Sequence, residues 1–280
     1  MRLASFRVAD RDTFGIVRDD GVVDLARRLG VASLREALGR FGLDEIGRFA
    51  GEPADAPLDA VSWLPVIPDA HRIFCIGLNY EAHRLETKRE PTDNPTVFMR
   101  LASSQIGHGQ PLVRPRESTQ FDYEGEIAII IGKGGRRIGT DDAWSHVIGY
   151  ACYNDGSIRD WQRHTTQWIA GKNFVGTGAF GPWMVTADEI APAEELTLTT
   201  RLNGQVMQQA TTDMLIHSIP RQIAYISTWT PLEPGDVIVT GTPGGVGARR
   251  EPPVWMKPGD VAEIEVSKVG VLRNPVVAED

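Results

Sequence analysis

The stretch Phe121-Asp122-Tyr123-Glu124-Gly125-Glu126-Ile127-Ala128-Ile129-Ile130-Ile131 constrains this chain more than any other. Its apolar, β-branched half runs without a proline to Gly132, which predicts a β-strand. Alternate residues of a strand share a face. Asp122, Glu124 and Glu126 therefore fall on one side, and Phe121, Tyr123, Ile127, Ile129 and Ile131 on the other. Three carboxylates on one face repel one another when buried without compensation. Two readings stand on this segment alone. The carboxylates hold a hard divalent cation through oxygen, or they form the solvated face of an amphipathic strand.

The rest of the chain narrows the class. A length of 280 residues allows one large domain, or a large domain with a small companion. The 18 Pro and 29 Gly favour a turn-rich, β-containing architecture over a helical bundle. A net charge of −8 argues against a nucleic-acid partner, which needs a basic surface. No apolar run approaches the roughly 20 residues of a membrane span, and Met1–Phe6 has no signal-peptide core. Cys75 and Cys152 sit in apolar, strand-like segments and read as reduced core cysteines. The expectation is a soluble, cytoplasmic protein.

In chain order, residues 2–24 predict a small β-meander with a turn at Asp19-Asp20-Gly21. Ser33 is a candidate N-cap for a helix over Leu34–Leu38, and a second short helix is expected around Leu43–Phe49. The Pro- and Ala-rich segment 51–57 reads as a linker. This divides the chain into a small N-terminal accessory domain, residues 1–65, and a main domain, residues 70–280.

The chemistry lies in the second part. After an apolar strand ending at Gly77, Asn79 is a candidate cap for a short helix on which His83 and Glu86 share a face. A carboxylate fixing an imidazole is the arrangement of an oriented general base; an ordinary surface pair is the competing reading. The charged segment 87–94 is a candidate lid. Another apolar strand, over His146–Tyr153, delivers Asn154-Asp155-Gly156. Asp155 is the candidate third metal oxygen, against a simple Asn-Asp-Gly turn. Lys172 is either a surface lysine or a cation placed to neutralise developing charge. Asn203-Gly204 signals a hairpin, and Pro220 interrupts a helical pattern over Thr212–Trp229. The Gly-rich run 241–247 lacks any nucleotide-binding signature. Its N–H groups and the hydroxyls of Thr240 and Thr242 are suited to a carboxylate.

Taken together, these segments resemble the fumarylacetoacetate hydrolase family. The resemblance covers roughly residues 70–277. It is carried by Gly77-x-Asn79-Tyr80-x-x-His83, Asp122-Tyr123-Glu124-x-Glu126, Asn154-Asp155-x-Ser157-x-Arg159-Asp160-x-Gln162 and Gly171-Lys172-x-Phe174. Pro234-Gly235-Asp236-x-Ile238-x-Thr240-Gly241-Thr242-Pro243-x-Gly245-Val246-Gly247 and Leu272-Arg273-Asn274-Pro275 complete it. The resemblance implies a mostly β, α+β fold, a mixed β-sandwich roll with a small N-terminal α/β domain, and a homodimer.

It also implies a site. Glu124, Glu126 and Asp155 would be metal ligands, with Mg²⁺ the expected ion and Mn²⁺ or Ca²⁺ the alternatives. His83, Glu86, Lys172 and Gln162 would be catalytic. Tyr80, Arg100, Gly241 and Thr242 would bind substrate, with Arg100 standing where many members carry Lys. Asp122 would support the ligands from behind. The implied substrates are small 2-oxo or 1,3-diketo acids. The implied reaction is metal-dependent hydrolysis of a C–C bond in an acylpyruvate such as fumarylpyruvate or fumarylacetoacetate, as in aromatic catabolism. Alternatives are isomerisation of 2-hydroxyhepta-2,4-diene-1,7-dioate, decarboxylation of oxaloacetate-type acids, and a non-catalytic metal-binding role.

Overall fold

The computed structural model describes all 280 residues. Its centre is the strand the sequence singles out, although the strand is broken. Phe121–Asp122 pairs with Ser157–Ile158 in a small two-stranded sheet, and Gly125–Ile131 begins the long central strand. Tyr123 and Glu124 lie between them. There Glu124 N–H donates to the Asn154 side chain, and the Glu124 carbonyl accepts Asp155 N–H at 2.8 Å.

The large sheet has eleven strands. Nine run in the order Gly21–Asp24, Arg11–Arg18, Arg2–Val8, Gly178–Thr186, Val147–Asn154, Gly125–Ile131, Val237–Val239, Ile73–Gly77 and Thr96–Arg100. The N-terminal meander joins the rest through Arg2↔Val185 and Leu3↔Met184, so its strands extend the main sheet. A second, five-stranded sheet runs Gln205–Thr211, Thr197–Leu202, Val261–Val266, Gly270–Ala278 and Leu112–Arg114.

Alternation decides the layers. Ile127, Ile129 and Ile131 face a core shared with the second sheet (Leu198, Ile264, Leu272) and with helix Ile219–Trp229 (Ile223, Ile226). Ala128 and Ile130 face the opposite core, closed by the N-terminal helices through Leu34, Ala37, Leu38 and Ile46. The central strand is thus covered on both faces, as its run of isoleucines requires. No helix is long and apolar enough to cross a membrane.

Local signals held in several places. Ser33 caps Leu34–Arg40 by accepting Glu36 N–H at 3.2 Å. The hairpin turns at Asn203-Gly204, both at positive φ as such a turn requires. Pro220 sits in the first turn of helix Ile219–Trp229, where its missing N–H costs nothing, so the helix is neither kinked nor split. Asn79 differs from expectation: Tyr80, not Asn79, precedes helix Glu81–Glu86. The Asn79 amide instead ties Thr240 O and His217 O to its own loop and accepts His217 N–H.

The topology gathers the chemistry at one end. Strands Ile73–Gly77 and Val237–Val239 are parallel neighbours and end there. Val147–Asn154 also ends there, antiparallel to Gly125–Ile131, whose first residues sit opposite (Gly125↔Asn154, Ala128↔Val239).

Candidate active site

That end opens into a pocket of about 310 Å³, lined by His83, Glu124, Glu126, Asp155, Gln162, Lys172 and Thr242 among others. One ligand oxygen from each of Glu124, Glu126 and Asp155 lies within 4.8 Å of the others, and all three residues are buried. Asp122 is fully buried too, so the solvated acidic face is excluded.

Buried carboxylates need partners, and two of the three have cations. Arg159 places Nη2 2.6 Å from Glu124 Oε1, and Lys172 Nζ donates to Glu124 Oε2 at 2.6 Å and to Asp155 Oδ2. Arg100 Nη1 donates to Asp155 Oδ1 at 2.6 Å. Glu126 has no cation. Its partner is the Gly241 N–H at 2.5 Å, aimed by a backbone at φ 109° that favours glycine.

The electrostatics follow these partners. Burial alone pushes the Glu124 carboxyl up, but Arg159 and Lys172 more than reverse this and hold it below the usual range. Burial drives Glu126 well above that range, and the charges of Asp155 and Glu124 add to the effect. Lys172 stays a firm cation, because Asp155 and Glu124 outweigh the cost of its burial. Three carboxylates converge on one point and one lacks a counter-charge, which is a donor set suited to a hard divalent cation.

Beside this cluster stands an oriented imidazole. His83 Nδ1 lies 2.7 Å from Glu86 Oε1, while Glu86 Oε2 accepts Gly245 N–H at 2.9 Å. The loop thus fixes the carboxylate, and the carboxylate fixes the ring. An ionised carboxylate at Nδ1 makes that nitrogen the donor and leaves Nε2 as the ring nitrogen without a protein partner, on a side chain that lines the pocket.

Other implied residues fall differently. Arg100 lies off the pocket, fully buried, and also holds Gly156 O and Thr177 Oγ1, so its guanidinium has no face for substrate. Tyr80 is buried and does not line the pocket, and burial raises its phenol far above the ordinary value. Gly241 spends its N–H on Glu126. Thr242 lines the pocket, yet its hydroxyl donates to Gly125 O and accepts Gln208 Nε2. Gln162 lines the pocket while its oxygen accepts Arg159 Nη1 at 3.0 Å.

The sequence reading assigned Arg159 no role, yet it ties the acidic strand together. Its Nε donates to Asp122 Oδ2 at 2.7 Å, and Asp122 also accepts Gly247 N–H and Ala248 N–H. Its motif position after Asp155 was the available signal. The wall formed by Phe98 and Trp168, whose rings meet edge-to-face at 5.4 Å, carried no signal at all.

Residues 72–277 match the model described as fumarylacetoacetate (FAA) hydrolase C-terminal. The chain is 37% identical to a mitochondrial oxaloacetate tautomerase from Xenopus laevis, over 99% of this chain and 90% of that protein. Among solved structures, it resembles a 5-carboxymethyl-2-hydroxymuconate delta-isomerase from Mycobacterium smegmatis (TM-score 0.80, 31% identity, both chains covered fully). It also resembles a maleylpyruvate hydrolase from Sphingobium sp. SYK-6 in complex with manganese(II) and pyruvate (TM-score 0.84, 31% identity, both chains covered fully).

Proposed function

Because the chain belongs to the fumarylacetoacetate hydrolase family, we propose that it is a divalent-cation-dependent hydrolase that cleaves a C–C bond in an acylpyruvate. The observation that carries this reading is the His83–Glu86 pair, set on the same pocket as the buried trio Glu124, Glu126 and Asp155.

The trio fits Mg²⁺ or Mn²⁺: its donors are all oxygen, and Glu126 has only the Gly241 N–H as partner, so its charged form is left for a cation to stabilise. When bound, the cation supplies Lewis-acid polarisation of the 2-oxo carbonyl and offsets the charge that builds as the C–C bond breaks. His83 Nε2 takes a proton from water, and Glu86 stabilises the resulting imidazolium. The hydroxide oxygen adds to the distal acyl carbon, and the bond to C3 of the pyruvate unit breaks. That carbon then takes back the proton held on His83. Lys172 supplies a fixed ammonium beside the oxygen that becomes negative. Gln162 accepts from Arg159 and lines the same pocket, where its amide would position water or substrate.

A second reading is keto–enol interconversion of an oxaloacetate-type acid. The Xenopus laevis relative favours it, and His83 would then carry a proton between C3 and the 2-oxygen. Acetylpyruvate incubated with the protein and Mg²⁺, followed by ¹H NMR, separates the two. Hydrolysis gives acetate and pyruvate in equal amounts. An unchanged skeleton with faster exchange at C3 rejects hydrolysis and supports the second reading.

A further inference from the structure

The pocket carries charges that neither the cation site nor the base requires. Arg163 and Arg249 both line it, from segments far apart in sequence, and both are exposed. Arg89, on the charged segment after helix Glu81–Glu86, lines the pocket as well and is unpaired; the buried and half-buried arginines at this centre are engaged. Arg100 holds Asp155, Arg159 holds Asp122 and Glu124, and Arg250 holds Met207 O and the Tyr123 hydroxyl. The guanidiniums of Arg163 and Arg249 make no hydrogen bond or ion pair within the chain.

The acids nearest Arg163 are committed elsewhere. Asp122 is taken by Arg159 and by the N–H groups of Gly247 and Ala248, and Asp160 accepts Ser118 Oγ and Trp161 N–H. Burial pushes the Arg163 guanidinium down, and the facing charges of Arg249 and Arg159 push it further, so these cations feel one another across the opening. Both are also anchored. Arg249 follows the turn that Asp122 clamps through two N–H groups, and Arg163 closes the short helix Arg159–Gln162. Ile76, Phe98 and Trp168 line the same pocket as an apolar wall.

We infer that Arg163 and Arg249 form a grip for a second anionic group, so that the site selects 2-oxo acids bearing a distal carboxylate. This rests on the reading that the 2-oxo acid end lies at the carboxylate trio. Two unpaired guanidiniums on a pocket wall attract an anion at long range and bind it through charge-assisted, fork-shaped hydrogen bonds. The apolar wall suits the carbon chain between the two ends.

Calorimetric titration of the Mg²⁺-loaded protein with 2-oxoadipate and with 2-oxohexanoate tests this. The two acids share a six-carbon chain and differ at the distal end, and neither has the 4-oxo group that hydrolysis requires. The native protein is expected to bind 2-oxoadipate more tightly by about tenfold or more, the scale of one hydrogen-bonded charge. Arg163→Ala and Arg249→Ala each shrink that preference and leave 2-oxohexanoate affinity unchanged, and Arg249→Lys retains part of it. No preference in the native protein, including no measurable binding of either acid, overturns the inference. So does a preference that survives in the Arg163→Ala/Arg249→Ala double variant. Loss of acylpyruvate hydrolysis with the preference intact would reject the reaction and leave the grip standing.

Discussion

Glu86 holds His83 Nδ1 at 2.7 Å with one carboxylate oxygen and accepts Gly245 N–H at 2.9 Å with the other. The imidazole is thus braced from a Gly-rich loop that lies far from it in sequence. Glu86→Gln keeps the shape but removes the charge that stabilises a protonated ring. Its kcat should fall by about 10²–10⁴, the usual span for positioned general-base catalysis, with KM little changed. Steady-state kinetics on acetylpyruvate checks this; an equal loss from KM alone would mean that Glu86 serves binding.

Glu126 is the ligand candidate without a cation, and it is crowded by Asp155 and Glu124. Glu126→Gln should therefore leave the metal-free protein as stable as the native one, or more so. The same change should weaken Mg²⁺ binding by about 10–100-fold or more, the scale seen for residues that merely support metal ligands. Thermal melts in chelator and calorimetric titration with Mg²⁺ give the two readouts. A large drop in metal-free stability would contradict the charge account.

Chelation should lower the melting temperature of the native protein. A ligand present at 100 times its Kd stabilises by about 2.7 kcal/mol, a shift of several degrees at most for a chain of this size. Paired melts with EDTA and with excess Mg²⁺ measure it. Identical melts in the two would mean that no cation binds the folded state.

Arg100 and Asp155 form a wholly buried ion pair. Removing one partner of such a pair leaves an uncompensated charge and costs about 3–5 kcal/mol. Arg100→Met should lose that much in urea unfolding, even though Lys172 remains on Asp155. A loss below 1 kcal/mol would show that Lys172 alone suffices.

Much of the candidate site's geometry was legible because its parts are local. The alternation of Phe121–Ile131 placed the isoleucines correctly, and each of Glu124, Glu126 and Asp155 sits where a strand begins or ends. His83 and Glu86 are one helical turn apart, so spacing predicts their contact. The substrate contacts implied for Arg100 and Tyr80 did not survive burial, because burial depends on packing between distant segments. Arg100 meets Asp155 and Thr177 only after strands Thr96–Arg100 and Val147–Asn154 take their places in the sheet. The break at Tyr123-Glu124 depends on Asn154 in the same way. Arg163 and Arg249 stand exposed at the end of one-turn elements with no periodicity, where residue type alone says nothing about a neighbour.

The most direct test compares His83→Ala with the native protein, both loaded with Mg²⁺, by following pyruvate release from acetylpyruvate through lactate dehydrogenase. The account predicts that the variant folds, binds Mg²⁺ with unchanged affinity, and loses about 10²–10⁴ in kcat. Pyruvate release at the native rate in the variant would contradict it.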